Sequence, residues 1–246
     1  MNGMKAIFSF REDCDFSRKL RKDGFEVLNL PLVTTRTTPD LAHFHEMAAT
    51  IDRFDSIFLT SPAAAAVLAS KFGHGLADSL PPVYVLGRRA KRLLEGCGIA
   101  VKYSDAANTV GQLLSELGES RFSGKTILFL RGDKSLRTIP ERLRGIAIVE
   151  ETVVYETIEN PIDNMEFLDK VRLGQVGWMC FFSPSAVESY VGRRMPMGAG
   201  APRVAVIGGT TGQRARALGF SVDFISGRAT AVDFATELAK HIKNSE

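Results

Sequence analysis

The sequence has few cysteines, few histidines and no long apolar run. Its three cysteines lie far apart and match neither a disulfide framework nor a zinc pattern: Cys14, Cys97 and Cys180. The longest stretches without a charged residue, 56–70 and 173–187, are too short and too often interrupted by Ser, Pro and Gly to span a bilayer. The N-terminus, MNGMKAIFSFRED, becomes charged before the apolar core of a signal peptide can form. We therefore expect a cytoplasmic protein without a membrane segment.

The overall composition is that of a globular chain with a weak positive charge. Hydrophobic residues make up 45% of the 246 positions, and the formal net charge is +3. That charge is too small and too dispersed to predict nucleic-acid binding, but it is compatible with a small anionic ligand. The four histidines are too few and too scattered to predict a metal site. We therefore expect a small-molecule ligand and neither a metal nor a nucleic-acid partner.

Apolar, β-branched runs alternate with helical patterns along the whole chain. Such alternation is typical of right-handed βαβ units in an α/β fold, and several runs are apolar throughout, as in strands buried on both faces. Ten strands are many for one open sheet, so we predict two lobes of about five strands each. The predicted strands cover residues 5–9, 26–30, 55–60, 83–87, 99–103, 125–130, 146–155, 176–182, 203–207 and 220–225.

An internal repeat supports the division into two lobes. LTSPAAAAVLAS resembles FSPSAVESYVG, and VYVLGRRAKRLLEGCGI resembles VAVIGGTTGQRARALGF. AIFSFRE followed by RKDGFEVLNL recurs as ILFLRGD followed by RLRGIAIVEE, and Thr109 before an apolar helix recurs as Thr230. All four pairs have nearly the same offset, about 121 residues, so the sequence predicts a duplicated α/β unit of about 120 residues.

Each half places hydroxyl residues or glycines directly after a strand and at the start of a helix. In an open parallel sheet, ligands bind beyond the carboxyl ends of the strands, where helix N-termini favour anions. Because the same chemistry recurs in both halves, we predict a shared ligand face, although N-capping of a helix is the better explanation of any one hydroxyl alone. The candidates are Thr60, Ser61, Ser183, Ser185, Thr210 and Thr211. The IGGTTG segment lacks the spacing of a dinucleotide-binding loop, so nucleotide binding is not predicted.

Basic residues also follow two of the predicted strands. A solvated face explains such clusters, and a bound polyanion would explain them too. The residues are Arg88, Arg89, Lys91 and Arg92 at one helix start, and Arg131 with Lys134 after another strand.

Tyr155 closes a long predicted strand just before a predicted linker at 157–161. A tyrosine at a junction between lobes can face a cleft, where its phenol serves as a hydrogen-bond donor or a weak acid. The alternative is a packing tyrosine whose ring only fills space. The sequence pattern alone leaves both roles open.

Taken in order, these motifs resemble the uroporphyrinogen-III synthase family over essentially the whole chain. They are the strand that leads to TSP, then VYVLG, ILFLRGD, IVEETVVYET, FFSPSAVESY and AVIGGTTGQRARALGF, with Thr230 in the last loop. The resemblance implies an α/β fold of two similar HemD-like, flavodoxin-like lobes, each a parallel sheet flanked by helices, joined by a two-strand connector. It also implies a discontinuous first lobe, with these boundaries: 1–34 plus 161–246 in one lobe, 38–155 in the other, and connectors at 35–37 and 156–160.

The family cyclises the linear tetrapyrrole hydroxymethylbilane to uroporphyrinogen III, eliminating water and inverting the final pyrrole ring without a metal or cofactor. The resemblance therefore implies a lyase of haem biosynthesis that acts as a monomer on a flexible polyacid. It places Tyr155 as the residue that assists loss of the hydroxyl group. The implied substrate-binding residues are those at the strand ends: Thr60, Ser61, Gly87, Arg131, Ser183, Ser185, Gly208, Thr210 and Thr211.

Two departures from the family pattern leave other functions open. Ala63 follows the first Ser-Pro where relatives carry a basic or polar residue, and Ala90 lies where many members have a threonine. We expect the loop at Ala90 to lose a hydroxyl group for this reason. A non-catalytic tetrapyrrole sensor that keeps the fold is the alternative function. A periplasmic-type sugar or ion receptor is disfavoured because no export signal is predicted.

Overall fold

β-Strands alternate with α-helices through the part of the chain that the structure describes. The computed structural model describes residues 5–73, 75–107, 109–161, 163, 165–196 and 202–245. Its strands are β1 (Ala6–Ser9), β2 (Val27–Asn29), β3 (Val33–Thr37), β4 (Ser56–Leu59), β5 (Val83–Val85), β6 (Val101–Lys102), β7 (Thr126–Gly132), β8 (Ile148–Glu159), β9 (Val176–Phe181), β10 (Arg203–Val206) and β11 (Phe224–Ile225). Its α-helices are α1 (Asp15–Lys22), α2 (Ala42–Ala49), α3 (Pro62–Phe72), α4 (Arg88–Gly96), α5 (Val110–Leu117), α6 (Thr138–Arg142), α7 (Met165–Arg172), α8 (Pro184–Gly192), α9 (Gly209–Ala217) and α10 (Ala231–Lys243).

The strands form two sheets, which are parallel except at one edge. One sheet has five strands in the order β11-β10-β9-β1-β2, and the other has six in the order β3-β8-β7-β4-β5-β6. Neighbouring strands run parallel throughout the first sheet and from β8 to β6 in the second. The predicted fold class, an α/β fold with parallel sheets of about five strands flanked by helices, is confirmed.

Each sheet is buried on both faces, because successive side chains of a strand point to opposite sides. In β4, Ile57 and Leu59 belong to one hydrophobic cluster while Phe58 belongs to another, where it stacks on Tyr84 with 4.8 Å between ring centroids. In β1, Ile7 packs on one side and Phe8 on the other. Helices on both faces cover the strands, which explains why these strands are apolar throughout.

Strand β3 and the end of β8 lie in the segments predicted as a two-strand connector, 35–37 and 156–160. Strand β3 spans Val33–Thr37, and β8 continues to Glu159. The Thr38 N–H donates to the Val154 carbonyl and the Asn160 N–H to the Leu32 carbonyl, so the two segments pair in antiparallel register. Polar, largely exposed residues make up β3, and without buried alternation its strand pattern is not recognisable in the sequence.

The chain divides into two compact units, each with its own sheet. The first unit contains Met1–Thr34 and Ile158–Glu246, and the second contains Thr35–Thr157. No α-helix within the described residues is long and apolar enough to cross a membrane. The described residues also contain no group of three or more His, Cys, Asp or Glu side chains placed to hold a metal ion.

Candidate active site

Serine-capped helices follow the central strand of each sheet. Ser61 is the N-cap of α3, and its Oγ accepts a hydrogen bond from the Ala63 N–H at 3.1 Å. Ser183 is the N-cap of α8, and its Oγ accepts from the Ala186 N–H at 3.2 Å. Both caps are followed by proline at the first helical position, where its missing N–H is no loss. The serines therefore support their helices, and each hydroxyl keeps hydrogen-bonding capacity beyond the cap.

Glycine-capped helices start beside the serine-capped ones. Gly87 precedes α4 and Gly208 precedes α9, and neither can offer a side chain to the helix. The first N–H groups of a helix have no acceptor within the helix, so these two starts present backbone donors at the sheet edge. Backbone hydrogen bonds join each glycine-capped start to the strand that leads to the neighbouring serine cap. The Leu86 N–H donates to the Leu59 carbonyl, and the Ile207 N–H donates to the Phe181 carbonyl.

Threonine-capped helices complete the same series in both units. The Thr109 Oγ1 accepts from the Gln112 N–H at 3.2 Å, and the Thr230 Oγ1 accepts from the Asp233 N–H at 3.1 Å. Serine, glycine and threonine caps thus recur in the same order at the carboxyl edge of each sheet. This series is the structural form of the internal repeat seen in the sequence.

The remaining predicted hydroxyl residues differ in how accessible they are. Thr60 is half-buried at the end of β4, and Thr210 is exposed in the first turn of α9. The Ser185 Oγ lies 2.9 Å from the Ser183 Oγ, so these two hydroxyls form one polar pair. Thr211 is only 4% exposed, which makes it a packing residue more than a ligand-facing one.

Three of the predicted basic residues pair with carboxylates: Arg88, Lys91 and Arg131. The Arg131 Nε lies 2.9 Å from a Glu151 carboxylate oxygen, and an Arg131 Nη donates to the Gly132 carbonyl at 2.9 Å. Arg88 pairs with Asp105 at 2.8 Å, and hydrogen bonds to Tyr103 and Asp105 raise the pKa of Arg88. In the described structure both arginines therefore have protein counter-ions.

The Tyr155 side chain lies level with the carboxyl end of β7. Its backbone pairs with Gly132 after a register shift: Arg131 pairs with Val153 and Gly132 with Tyr155, so β8 has one extra residue, Val154, at this point. The ring joins the hydrophobic cluster of this unit and is 9% exposed, so it is more buried than its place at a junction suggests. Its hydroxyl oxygen lies 3.3 Å from the Ser135 Oγ, which also accepts the Gly132 N–H at 2.9 Å.

Gly132 makes room for the Tyr155 ring. A Cβ atom at this position would lie 2.4 Å from two ring carbons and 2.8 Å from the phenol oxygen. No side chain can occupy that space, so the glycine fixes where the phenol group sits. Sequence analysis predicts Tyr155 but misses Gly132 and Ser135, although Gly132 lies within the ILFLRGD motif and Ser135 follows that motif by two residues.

Ala90, the second departure from the family pattern, lies in the core of the second unit. Its side chain is fully buried on the inner face of α4, so a side chain at this position faces the core. Ala63 packs partly against the same cluster.

The fold and these edges define a class of protein: a duplicated α/β protein that carries matching series of helix starts at the carboxyl edges of its two sheets. A family model described as uroporphyrinogen-III synthase HemD matches residues 15–235. The chain belongs to the uroporphyrinogen-III synthase family.

Individual relatives agree with this assignment. The chain is 27% identical over 263 aligned positions to a protein of Chlorobaculum parvum named uroporphyrinogen-III synthase, with 98% of this chain and all of the relative covered. It resembles a crystal structure of a mutant uroporphyrinogen III synthase from Thermus thermophilus, with a TM-score of 0.63 and 15% identity over 98% of this chain and 100% of the other. A uroporphyrinogen-III synthetase structure from Helicobacter pylori gives the same TM-score at 16% identity over 97% and 99% of the two chains. The two structures support the fold.

Replacing Gly132 with alanine should displace the Tyr155 phenol. We expect Gly132→Ala to lower the free energy of unfolding by about 1–3 kcal/mol, as overpacking does, and to reduce turnover together with it. Denaturant unfolding and the turnover number measure the two effects. Gly96→Ala is the matched control, because Gly96 ends α4 in the same unit and has no heavy atom within 4 Å of the added Cβ. Equal turnover in both variants would contradict the role assigned to Gly132.

A serine at position 208 should cap α9 and compete with an anionic ligand for its N–H groups. The Gly208 backbone is extended, and the nearest atom to an added Cβ is the Ala229 Cβ at 3.6 Å, so Gly208→Ser fits without strain. We expect a gain in unfolding free energy of roughly a few tenths of a kcal/mol and a several-fold higher KM. Gly192→Ser, at the end of α8, is the control. An unchanged KM for Gly208→Ser would show that the α9 amides do not bind substrate.

Proposed function

We propose that the chain performs the reaction of its family at these sheet edges, with Tyr155 as the group that assists departure of the hydroxyl. The family reaction cyclises hydroxymethylbilane to uroporphyrinogen III with loss of water and inversion of the final ring, which is a lyase activity. The observation that carries the proposal is the match to the family model. The match spans 221 residues, 15–235, and contains every predicted site residue. We further propose that the enzyme acts as a cytoplasmic monomer on this small-molecule substrate.

The reaction depends mainly on control of the substrate's conformation. Loss of the terminal hydroxyl leaves an electrophilic azafulvene, and left alone this species closes head to tail without inversion. An enzyme must instead fold the bilane so that attack occurs at the substituted carbon of the last ring, which gives a spiro intermediate. Holding the reacting carbons together in this way is catalysis by positioning.

Backbone amides at the glycine-capped helix starts are suited to this task. The substrate is a flexible polyacid, and carboxylates are stabilised by the N–H groups and the positive end of a helix. The α4 start at Gly87 and the α9 start at Gly208 have no side-chain cap. Beside these helix starts, hydroxyl groups are offered by Ser61, Ser183 and the exposed Thr210.

In the proposed mechanism Tyr155 acts as a modest general acid. Its ring is held by Gly132, and its hydroxyl neighbours the Ser135 Oγ. Ser135 accepts the Gly132 N–H, so its own proton can be donated to the phenol oxygen, which leaves the phenolic proton for the substrate. The substrate C–O bond then breaks with the pyrrole electrons forming the azafulvene, and the hydroxyl departs as water. A proton lost from the attacked ring at the end of the reaction restores the phenol.

The non-catalytic sensor is separated from the enzyme by one product assay. We expect the wild-type chain, incubated with enzymatically generated hydroxymethylbilane, to form the type III isomer faster than spontaneous type I appears. Chromatographic separation of the oxidised isomers measures the ratio. If the chain binds the tetrapyrrole and only type I accumulates, the protein is a sensor and the proposed activity is absent.

Removing the phenolic proton should slow turnover without unfolding the protein. We expect Tyr155→Phe to reduce the turnover number on the order of a hundredfold, within the range for general acids, while the ring still fills its space. Steady-state rates and thermal unfolding are compared. Tyr84→Phe is the matched control, because Tyr84 is a buried tyrosine of the same sheet that stacks on Phe58. If Tyr155→Phe turns over as fast as Tyr84→Phe, Tyr155 has no part in the chemistry.

A further inference from the structure

We propose that Arg11 binds a carboxylate of the substrate at the carboxyl edge of the five-stranded sheet. The inference rests on the proposed function, since it names a contact for that same polyacid. Arg11 follows β1 by two residues, and β1 is flanked by β9 and β2 in the sheet. Arg11 is not among the binding candidates predicted from the sequence, although it lies in the repeated AIFSFRE segment.

The backbone around Arg11 is fixed at this edge. The N–H of Phe10 donates to the Cys180 carbonyl at 3.1 Å, which ties the segment to β9. The Asn29 Nδ2 donates to the Arg11 carbonyl at 2.9 Å, which ties it to β2. Asn29 is itself held by the Ser17 Oγ at 2.8 Å. The arginine therefore starts from a rigid position, which lowers the entropy lost when it binds a ligand.

The Arg11 guanidinium lies over an aromatic ring of the predicted ligand edge. Its central carbon is 5.3 Å from the centroid of the Phe182 ring. Phe182 immediately precedes Ser183, the cap of α8. Stacking on an aromatic face orients the planar guanidinium and leaves its N–H fork free for a planar anion.

The charge of Arg11 is not neutralised by the protein. Among residues that the structure describes, Arg11 forms no ion pair, and the nearby Asp13 is paired with Arg21 at 2.9 Å and Arg18 at 3.7 Å. Arg131 of ILFLRGD, which lies one position earlier in the repeat than Arg11 of AIFSFRE, gives a contrast. Arg131 has Glu151 as its counter-ion at 2.9 Å. Arg131 therefore has a carboxylate partner in the protein, whereas Arg11 is available.

A carboxylate fits these features. The guanidinium presents parallel N–H donors that match the two oxygens of a carboxylate, and such pairs are shorter and stronger than neutral hydrogen bonds. The helix start at Ser183 lies next to Phe182 and favours the same sign of charge. Arg11 is half-buried, so a bound anion would be partly shielded from solvent.

The test compares Arg11→Gln and Arg11→Lys with Arg203→Gln. Arg203 is a close match for Arg11, because its guanidinium lies 5.6 Å from the Trp178 ring centroid in the same sheet, but at the amino end of β10. For each variant, KM and turnover number are measured with hydroxymethylbilane, and binding of uroporphyrin III is measured by fluorescence titration. Thermal unfolding verifies that the variants are folded.

We expect Arg11→Gln to raise KM and the uroporphyrin III Kd about tenfold, with the turnover number nearly unchanged, as expected for loss of one charge-assisted hydrogen bond. Arg11→Lys should fall between wild type and Arg11→Gln, and Arg203→Gln should match wild type. If wild type forms the type III isomer and Arg11→Gln keeps the wild-type KM and Kd, the Arg11 inference is wrong while the proposed function stands. If wild type makes no type III isomer, the proposed function itself fails.

Discussion

Parallel strand order is the constraint on which the candidate site depends. When neighbouring strands run parallel, each must be followed by a crossover, so the following helices start at one common edge of the sheet. In this protein the starts at Ser61 and Gly87 meet through the Leu86–Leu59 backbone hydrogen bond, and those at Ser183 and Gly208 meet through the Ile207–Phe181 bond. The strand order thus brings the polar groups together at one edge of each sheet, and neither metal ligands nor a dedicated pocket is needed for this.

The two copies of the ancestral unit have specialised within the same framework. Both keep serine-, glycine- and threonine-capped helices in the same order. They differ near the end of the first strand of each repeat, where Arg131 pairs with Glu151, while Arg11 stacks on Phe182 and forms no ion pair with the residues that the structure describes. The second unit also has Tyr155 beside this strand. Duplication thus supplied one scaffold whose two copies carry different side chains at this edge.

Sequence patterns predicted the fold well because its strands are buried on both faces and its helices begin with recognisable caps. The patterns alone did not mark β3 as a strand, because most of its residues are polar and exposed. The packing of Tyr155 against Gly132 was also out of reach, since it depends on a register shift between β7 and β8. Which arginine lacks a counter-ion is likewise a property of tertiary contacts, because Glu151 comes from a different strand than Arg131.

The glycine caps bear on the stability of the folded protein in the cell. The N–H groups at a helix start without a side-chain cap can be satisfied by an anion, so in the proposed binding mode a bound tetrapyrrole would act as the missing cap and shift the folding equilibrium toward the native state. Variants with damaged cores would then persist longer when ligand is abundant. Abundance of this enzyme would follow the supply of its own substrate, and a tight polyanionic ligand could rescue unstable variants.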